Sequence, residues 1–121
     1  MNRLLIVDDA LIMRMKIRDI ARSAGWQVVA EATNGEEGVR MFEEHVPDLV
    51  TLDMVMPGMD GLAALKAIRQ GKPDANIVMV SAVNQKDKLR ECIDNGAIDF
   101  IVKPFDPGNL KSFFERYLQS T

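Results

Sequence analysis

Two short apolar runs in this chain end in carboxylates. Leu-Leu-Ile-Val at 4–7 runs into Asp8 and Asp9, and Leu-Val-Thr-Leu at 49–52 runs into Asp53. Ile-Val-Met-Val at 77–80 is followed by Ser81, and Phe-Ile-Val at 100–102 by Lys103. Singly, each has a plain reading: an acid after a strand often caps the next helix, a lone serine is usually structural, and a lone lysine is usually a solvated charge. Together they are harder to dismiss. Two like charges about 4 Å apart repel by about 4 kcal/mol at an effective dielectric of about 20, so three clustered carboxylates call for protonation or for a cation. Oxygen donors with no His or Cys beside them select a hard ion, and a few carboxylates plus waters suit Mg2+. An ion held this way completes its shell with phosphate oxygens, for which Lys103 and Ser81 offer a charge and a hydrogen-bond donor. The chemistry this predicts is attack by an aspartate on phosphorus, giving an aspartyl phosphate.

The residues between the runs say how such a cluster would be assembled. Leu4–Val7, Gln27–Ala30, Leu49–Leu52, Ile77–Val80 and Phe100–Val102 are apolar and mostly do not alternate, as expected of strands covered on both faces. Helical spacing separates them. Ala10, Met13, Ile17, Ile20, Ala21 and Ala24 form one face, stopped by Gly25; Leu110, Phe113, Phe114, Tyr117 and Leu118 form another, opened by Asp106-Pro107. Weaker patterns predict helices over Gly35–His45, Leu62–Gln70 and Lys86–Asn95, ended by Pro47, Gly71 and Gly96, with Thr33-Asn34-Gly35-Glu36 as an N-cap. Strict alternation of strand and helix implies an α/β fold with an open parallel sheet and right-handed crossovers. All strands then point the same way, and ligands gather at their carboxyl ends. The acids, Ser81 and Lys103 would converge there.

Composition fits one domain spanning 1–121. The 121 residues are 47% apolar and 27% charged, ordinary for a globular chain. A net charge of −3, from 15 basic and 18 acidic residues, offers no footprint for nucleic acid. No apolar run is long enough for a membrane span, no signal-peptide core precedes Asp8, and no Asn-x-Ser/Thr site exists. A single cysteine, Cys92, excludes an internal disulfide and suits a reducing compartment, so a cytoplasmic location is expected. Gly58, Gly61 and Gly71 do not spell a nucleotide loop.

Val-Asp-Asp at 7–9, Leu-Asp-Met-Val-Met-Pro-Gly-Met-Asp-Gly at 52–61, Ser-Ala at 81–82 and Lys-Pro-Phe at 103–105 together resemble the receiver domain of two-component response regulators. The resemblance covers essentially the whole chain, and within that family the chain is similar to the single-domain chemotaxis regulators of the CheY type. It implies a flavodoxin-like, five-stranded parallel sheet in order 2-1-3-4-5 with five helices, a three-layer sandwich. It makes Asp53 the acceptor of a phosphoryl group from a histidine kinase. Asp9 and Asp53 would bind Mg2+ directly, Asp8 mainly through water, and the Val55 main-chain carbonyl would add an oxygen. Lys103 would pair with Asp53 and then with the phosphoryl group, and Ser81 would move to bond that group. The Lys103–Pro104 bond would be cis. Phe100 stands where the family often has a switching Tyr, and could still rotate inward but has no hydroxyl to bond; its plain reading is core.

The same resemblance implies a signalling switch, not an enzyme beyond its own phosphorylation and dephosphorylation. A partner would read the face made by helix four, strand five and helix five; in chemotaxis that partner is the flagellar motor switch. The chain is expected to be monomeric, and Met1 with a helical C-terminus favours a free-standing unit. The alternatives are a phosphorelay shuttle to a histidine phosphotransfer protein and a haloacid-dehalogenase-like phosphatase. The latter needs an acid two residues after the nucleophile, where this chain has Val55. Val55 and Val83 would border the path of a hydrolytic water, predicting slow loss of phosphate and dependence on a separate phosphatase. His45 is expected to serve as a helix C-terminal charge. Ile12 and Met15 lie off the main apolar face of the first helix, as ordinary partly buried residues or as a partner patch.

Overall fold

The structure, a computed structural model, describes residues 2–82 and 84–118, so Val83 lies outside the described residues. Strand and helix alternate strictly: β1 (Arg3–Val7), α1 (Leu11–Ser23), β2 (Gln27–Ala32), α2 (Gly35–His45), β3 (Leu49–Asp53), α3 (Gly61–Gly71), β4 (Ile77–Ala82), α4 (Lys86–Asp94), β5 (Asp99–Lys103) and α5 (Pro107–Arg116). Every strand pair is parallel, and the sheet order is β2-β1-β3-β4-β5. Helices α1 and α5 cover one face and α2, α3 and α4 the other, the flavodoxin-like three-layer arrangement that the family resemblance implies.

The non-alternating runs now have their reason. In β1, Leu4 and Ile6 pack with Ile17, Trp26 and Phe114 under α1 and α5, while Leu5 and Val7 pack with Phe42, Leu65 and Met79 on the opposite face. A strand buried on both sides has no polar face to alternate with. The edge strand β2 departs from this. Leu4 pairs with Val28 but Leu5 pairs with Ala30, so Val29 is an extra residue and the side-chain phase inverts there. Val28 packs toward α1, Ala32 packs toward α2, and Glu31 is turned to the α1 side.

Caps fix the helix starts. Asn34 Oδ1 accepts from Glu37 N at 2.8 Å while Glu37 Oε1 accepts from Thr33 N at 2.9 Å, closing the turn into α2 from both sides. Asp106 accepts from Asn109 N at 3.0 Å ahead of Pro107. Several boundaries differ from the sequence reading, and α3 takes in Gly61 and Gly71 beyond its expected ends. Ala10 is the exposed N-cap of α1 and not part of its apolar face; α5 stops at Arg116, short of Leu118; and Asn95 is the C-cap of α4. No helix among the described residues is long and apolar enough to cross a membrane.

Candidate functional site

Because the sheet is parallel, β1, β3, β4 and β5 deliver their last residues to one edge. Asp53 ends β3, paired with Val80 on one side, while Ser81 and Ala82 continue β4 alongside Val102 and Lys103. The Lys103 ammonium bridges the acids, with Nζ 3.1 Å from Asp8 Oδ2 and 3.4 Å from Asp53 Oδ1. Oxygens of Asp8, Asp9 and Asp53 all lie within 4.8 Å of one another. The Lys103–Pro104 peptide is cis.

The two adjacent acids are held very differently. Asp8 is 1% exposed and secured at four points. Its N–H donates to Ala32 O at 3.0 Å and its carbonyl accepts from Arg14 Nη1 at 2.7 Å. Its Oδ1 accepts from Ala10 N at 2.9 Å, and Oδ2 takes the Lys103 contact. Asp9 is exposed, and among the described residues its carboxylate makes no hydrogen bond. One acid is a fixed wall and the other is aimed only by its backbone.

Asp53 is 7% exposed at the floor of this cluster. Burial first, and then the Asp8 charge, push its carboxyl up to about 6, with the Lys103 charge pulling the other way. One ammonium thus leaves the acids under-neutralised. An all-oxygen donor set with surplus negative charge, on a partly open sheet edge, fits a hard divalent cation such as Mg2+.

The loop after β3 is built to cross this edge closely. Gly61 N donates to Met54 O at 3.0 Å, and a side chain at Gly61 would strike the Asp53 carbonyl and Met54 Cα. Gly58 takes a φ of 74°, open to glycine at no steric cost. Glu36 Oε1 accepts from Met59 N at 3.2 Å and ties the loop to α2. Val55, two residues beyond Asp53, is half exposed in this loop. These glycines serve close approach and a turn.

Ser81 is buried, and its hydroxyl donates to Ala82 O at 3.0 Å, along its own strand. Phe100 is 44% exposed, so its plain reading as core is corrected: on β5 its ring stands outward and flanks a groove of about 380 Å³ with Phe105, Phe113 and Arg116. Ile12 is 68% exposed and Met15 is also open, beyond partial burial for Ile12. His45 ends α2, where its carbonyl accepts from Arg3 Nη1 at 2.7 Å. Arg14 was not singled out by its sequence. A long side chain reaching a main-chain oxygen six residues back leaves no trace in periodicity; the only hint is an arginine one turn after an acid pair.

The chain matches the response regulator receiver domain family over residues 4–115. It is 54% identical over 104 residues to the chemotaxis protein CheY of Bacillus subtilis, covering 86% of this chain and 87% of that protein. It is 49% identical over 109 residues to the CheY of Thermotoga maritima, covering 90% and 91%. Its fold superposes on a chain of the CheX–CheY–BeF3–Mg2+ complex from Borrelia burgdorferi with a TM-score of 0.88 at 33% identity, covering 97% of this chain and 90% of that one. With this match across nearly its full length, the chain belongs to the response regulator receiver domain family, and within it to the single-domain CheY type.

Proposed function

We propose that this receiver is a phosphorylation-controlled switch in which Asp53 takes a phosphoryl group from the phosphohistidine of a partner kinase. An Asp53 carboxylate oxygen attacks phosphorus, the P–N bond breaks, and its electron pair leaves on the imidazole, which is then protonated. Asp53 rises only to about 6, so at neutral pH it is mostly ionised and nucleophilic. Lys103, already 3.4 Å from Asp53, would follow the negative charge onto the phosphoryl oxygens. Asp8, Asp9, Asp53 and the Val55 carbonyl would hold Mg2+, which when bound supplies electrostatic stabilisation of the phosphoryl oxygens. The Ser81 hydroxyl, which now donates to a main-chain oxygen, would exchange that weak partner for a charged phosphoryl oxygen.

The observation that carries this reading is the bridging of Asp8 and Asp53 by Lys103 at the carboxyl edge of the sheet. The output would be read on the face formed by α4, β5 and α5, where Ile93, Ile98 and Phe100 are exposed and Phe100 lines the groove. Its reader in chemotaxis would be the flagellar motor switch, with the protein acting as a cytoplasmic monomer. Incubation with Mg2+ and acetyl phosphate, followed by intact-mass measurement, tests the chemistry. One phosphoryl group is expected on the wild type and none on Asp53→Asn; equal labelling of the two would contradict the assignment.

A further inference from the structure

We infer that Arg14 is a positioning residue for the acid pair, acting on the peptide group that joins Asp8 to Asp9. The Asp8 carbonyl belongs to that peptide, and a planar peptide moves as one unit. A hydrogen bond of 2.7 Å from Arg14 Nη1 to this oxygen therefore sets the plane from which the Asp9 side chain departs. Asp9 needs that external control, since its carboxylate makes no hydrogen bond among the described residues. The local loop supplies only half of it: the Asp8 carboxylate takes Ala10 N in the peptide after Asp9, and Lys103 besides, while the peptide before Asp9 is held by Arg14.

The chemistry of the arginine suits the task. Arg14 lies one turn into α1, its N–H bonded to Ala10 O at 3.0 Å, and its side chain turns back toward the helix start. The side chain is only 12% exposed, and its Nε lies 3.4 Å from Glu31 Oε1. A guanidinium offers Nη to one partner and Nε to another in a single rigid plane, which an ammonium cannot do. Glu31, shared with Arg18, also offsets part of its charge. An unbalanced cation beside a metal-binding acid pair would oppose a divalent ion, and a partly balanced one opposes it less. The other Glu31 oxygen takes Arg18 Nη1 at 3.2 Å, which holds the carboxylate against α1. Glu31 faces α1 because of the extra residue at Val29, so a bulge in the edge strand β2 contributes to aiming an acid at the end of β1.

This inference rests on the Mg2+ reading of the site, and its test separates the two. Mg2+ is titrated calorimetrically into metal-free wild type, Arg14→Ala, Arg14→Lys and Arg22→Ala. Loss of a hydrogen-bonded partner behind a ligand weakens metal binding by about tenfold or more, the result expected for Arg14→Ala. Arg14→Lys should fall between wild type and Arg14→Ala, because an ammonium reaches the carbonyl or Glu31 but not both. Arg22→Ala removes an exposed guanidinium from the same helix without touching Asp8 or Glu31 and should stay within about twofold of wild type. In the metal-free state, the Asp9 amide resonance should shift and exchange faster with water in Arg14→Ala but not in Arg22→Ala. Wild type that binds no Mg2+ overturns the site reading and this inference together. Wild type that binds, with Arg14→Ala equally tight and its Asp9 amide unchanged, overturns this inference alone. Should Arg14→Ala not fold, Arg14→Lys carries the same comparison, and affinity equal to wild type decides against it.

Discussion

Helices α4 and α5 flank β5 on opposite layers, yet they are anchored in opposite ways. Helix α5 buries Leu110, Phe113 and Phe114, and the Phe113 and Phe114 rings meet edge to face at 5.8 Å. Trp26 lies 6.4 Å from Phe114 and donates its Nε1–H to the Phe114 carbonyl at 2.8 Å. Just past its C-terminus, Tyr117 donates its hydroxyl to Asp99 Oδ2 at 2.7 Å; burial and this bond push the phenol up to about 12, so it keeps its proton. Helix α4 buries Cys92 alone and has no side-chain N-cap. Its one buried side chain meets Met54, with Cys92 Sγ 3.6 Å from Met54 Sδ, and Met54 directly follows Asp53. The loosely held helix is thus the one attached next to the proposed phosphorylation site. On the proposed reading, a fixed wall and a weakly held one on a single face would let a small change at the site shift the population of α4 while α5 stays in place.

The comparison breaks most visibly in the core. Phe114→Ala should cost about 3–5 kcal/mol in chemical denaturation, and Cys92→Ala only about 1–2 kcal/mol. Equal losses would erase the difference between the two helices. Asp53→Asn should act in the other direction. Between its ordinary value of 3.8 and about 6, the folded metal-free chain keeps a proton on Asp53 that the unfolded chain has released. The contribution of this group to stability therefore falls as pH rises through that window. Replacing it should stabilise the chelator-treated protein at pH 7 by about 1–3 kcal/mol and flatten the acid side of the stability profile. A variant no more stable than wild type would show that burial and the Asp8 charge do not penalise the Asp53 carboxylate. Trp26→Phe keeps the ring and removes the donor to Phe114; a loss of about 1 kcal/mol is expected, without an effect on phosphorylation by acetyl phosphate.

Much of this was legible in the chain because the two strongest signals are local. Leu4 to Val7 and Leu49 to Leu52 are apolar without alternation, which requires cover on both faces, and the acids that follow must emerge at one edge of a parallel sheet. What was not legible depends on neighbours distant in sequence. The inversion at Val29 in β2 shows only against the register of β1. The outward ring of Phe100 follows from β5 being an edge strand, which an apolar run cannot announce. The shallow burial of α4 is partly visible in its many charges, but its attachment through Cys92 to Met54 is not, because a small thiol has no pattern of its own.

The most direct test is a peptide-resolved hydrogen-exchange measurement on protein treated with acetyl phosphate and Mg2+, against untreated protein and Asp53→Asn. The account predicts the added phosphoryl mass on the peptide that holds Asp53. It also predicts altered exchange in the peptides covering the loop after β3 and α4, with α1 and α5 unaltered and Asp53→Asn showing neither change. A phosphoryl group on another peptide, or a response confined to α1 and α5 with α4 silent, would contradict it.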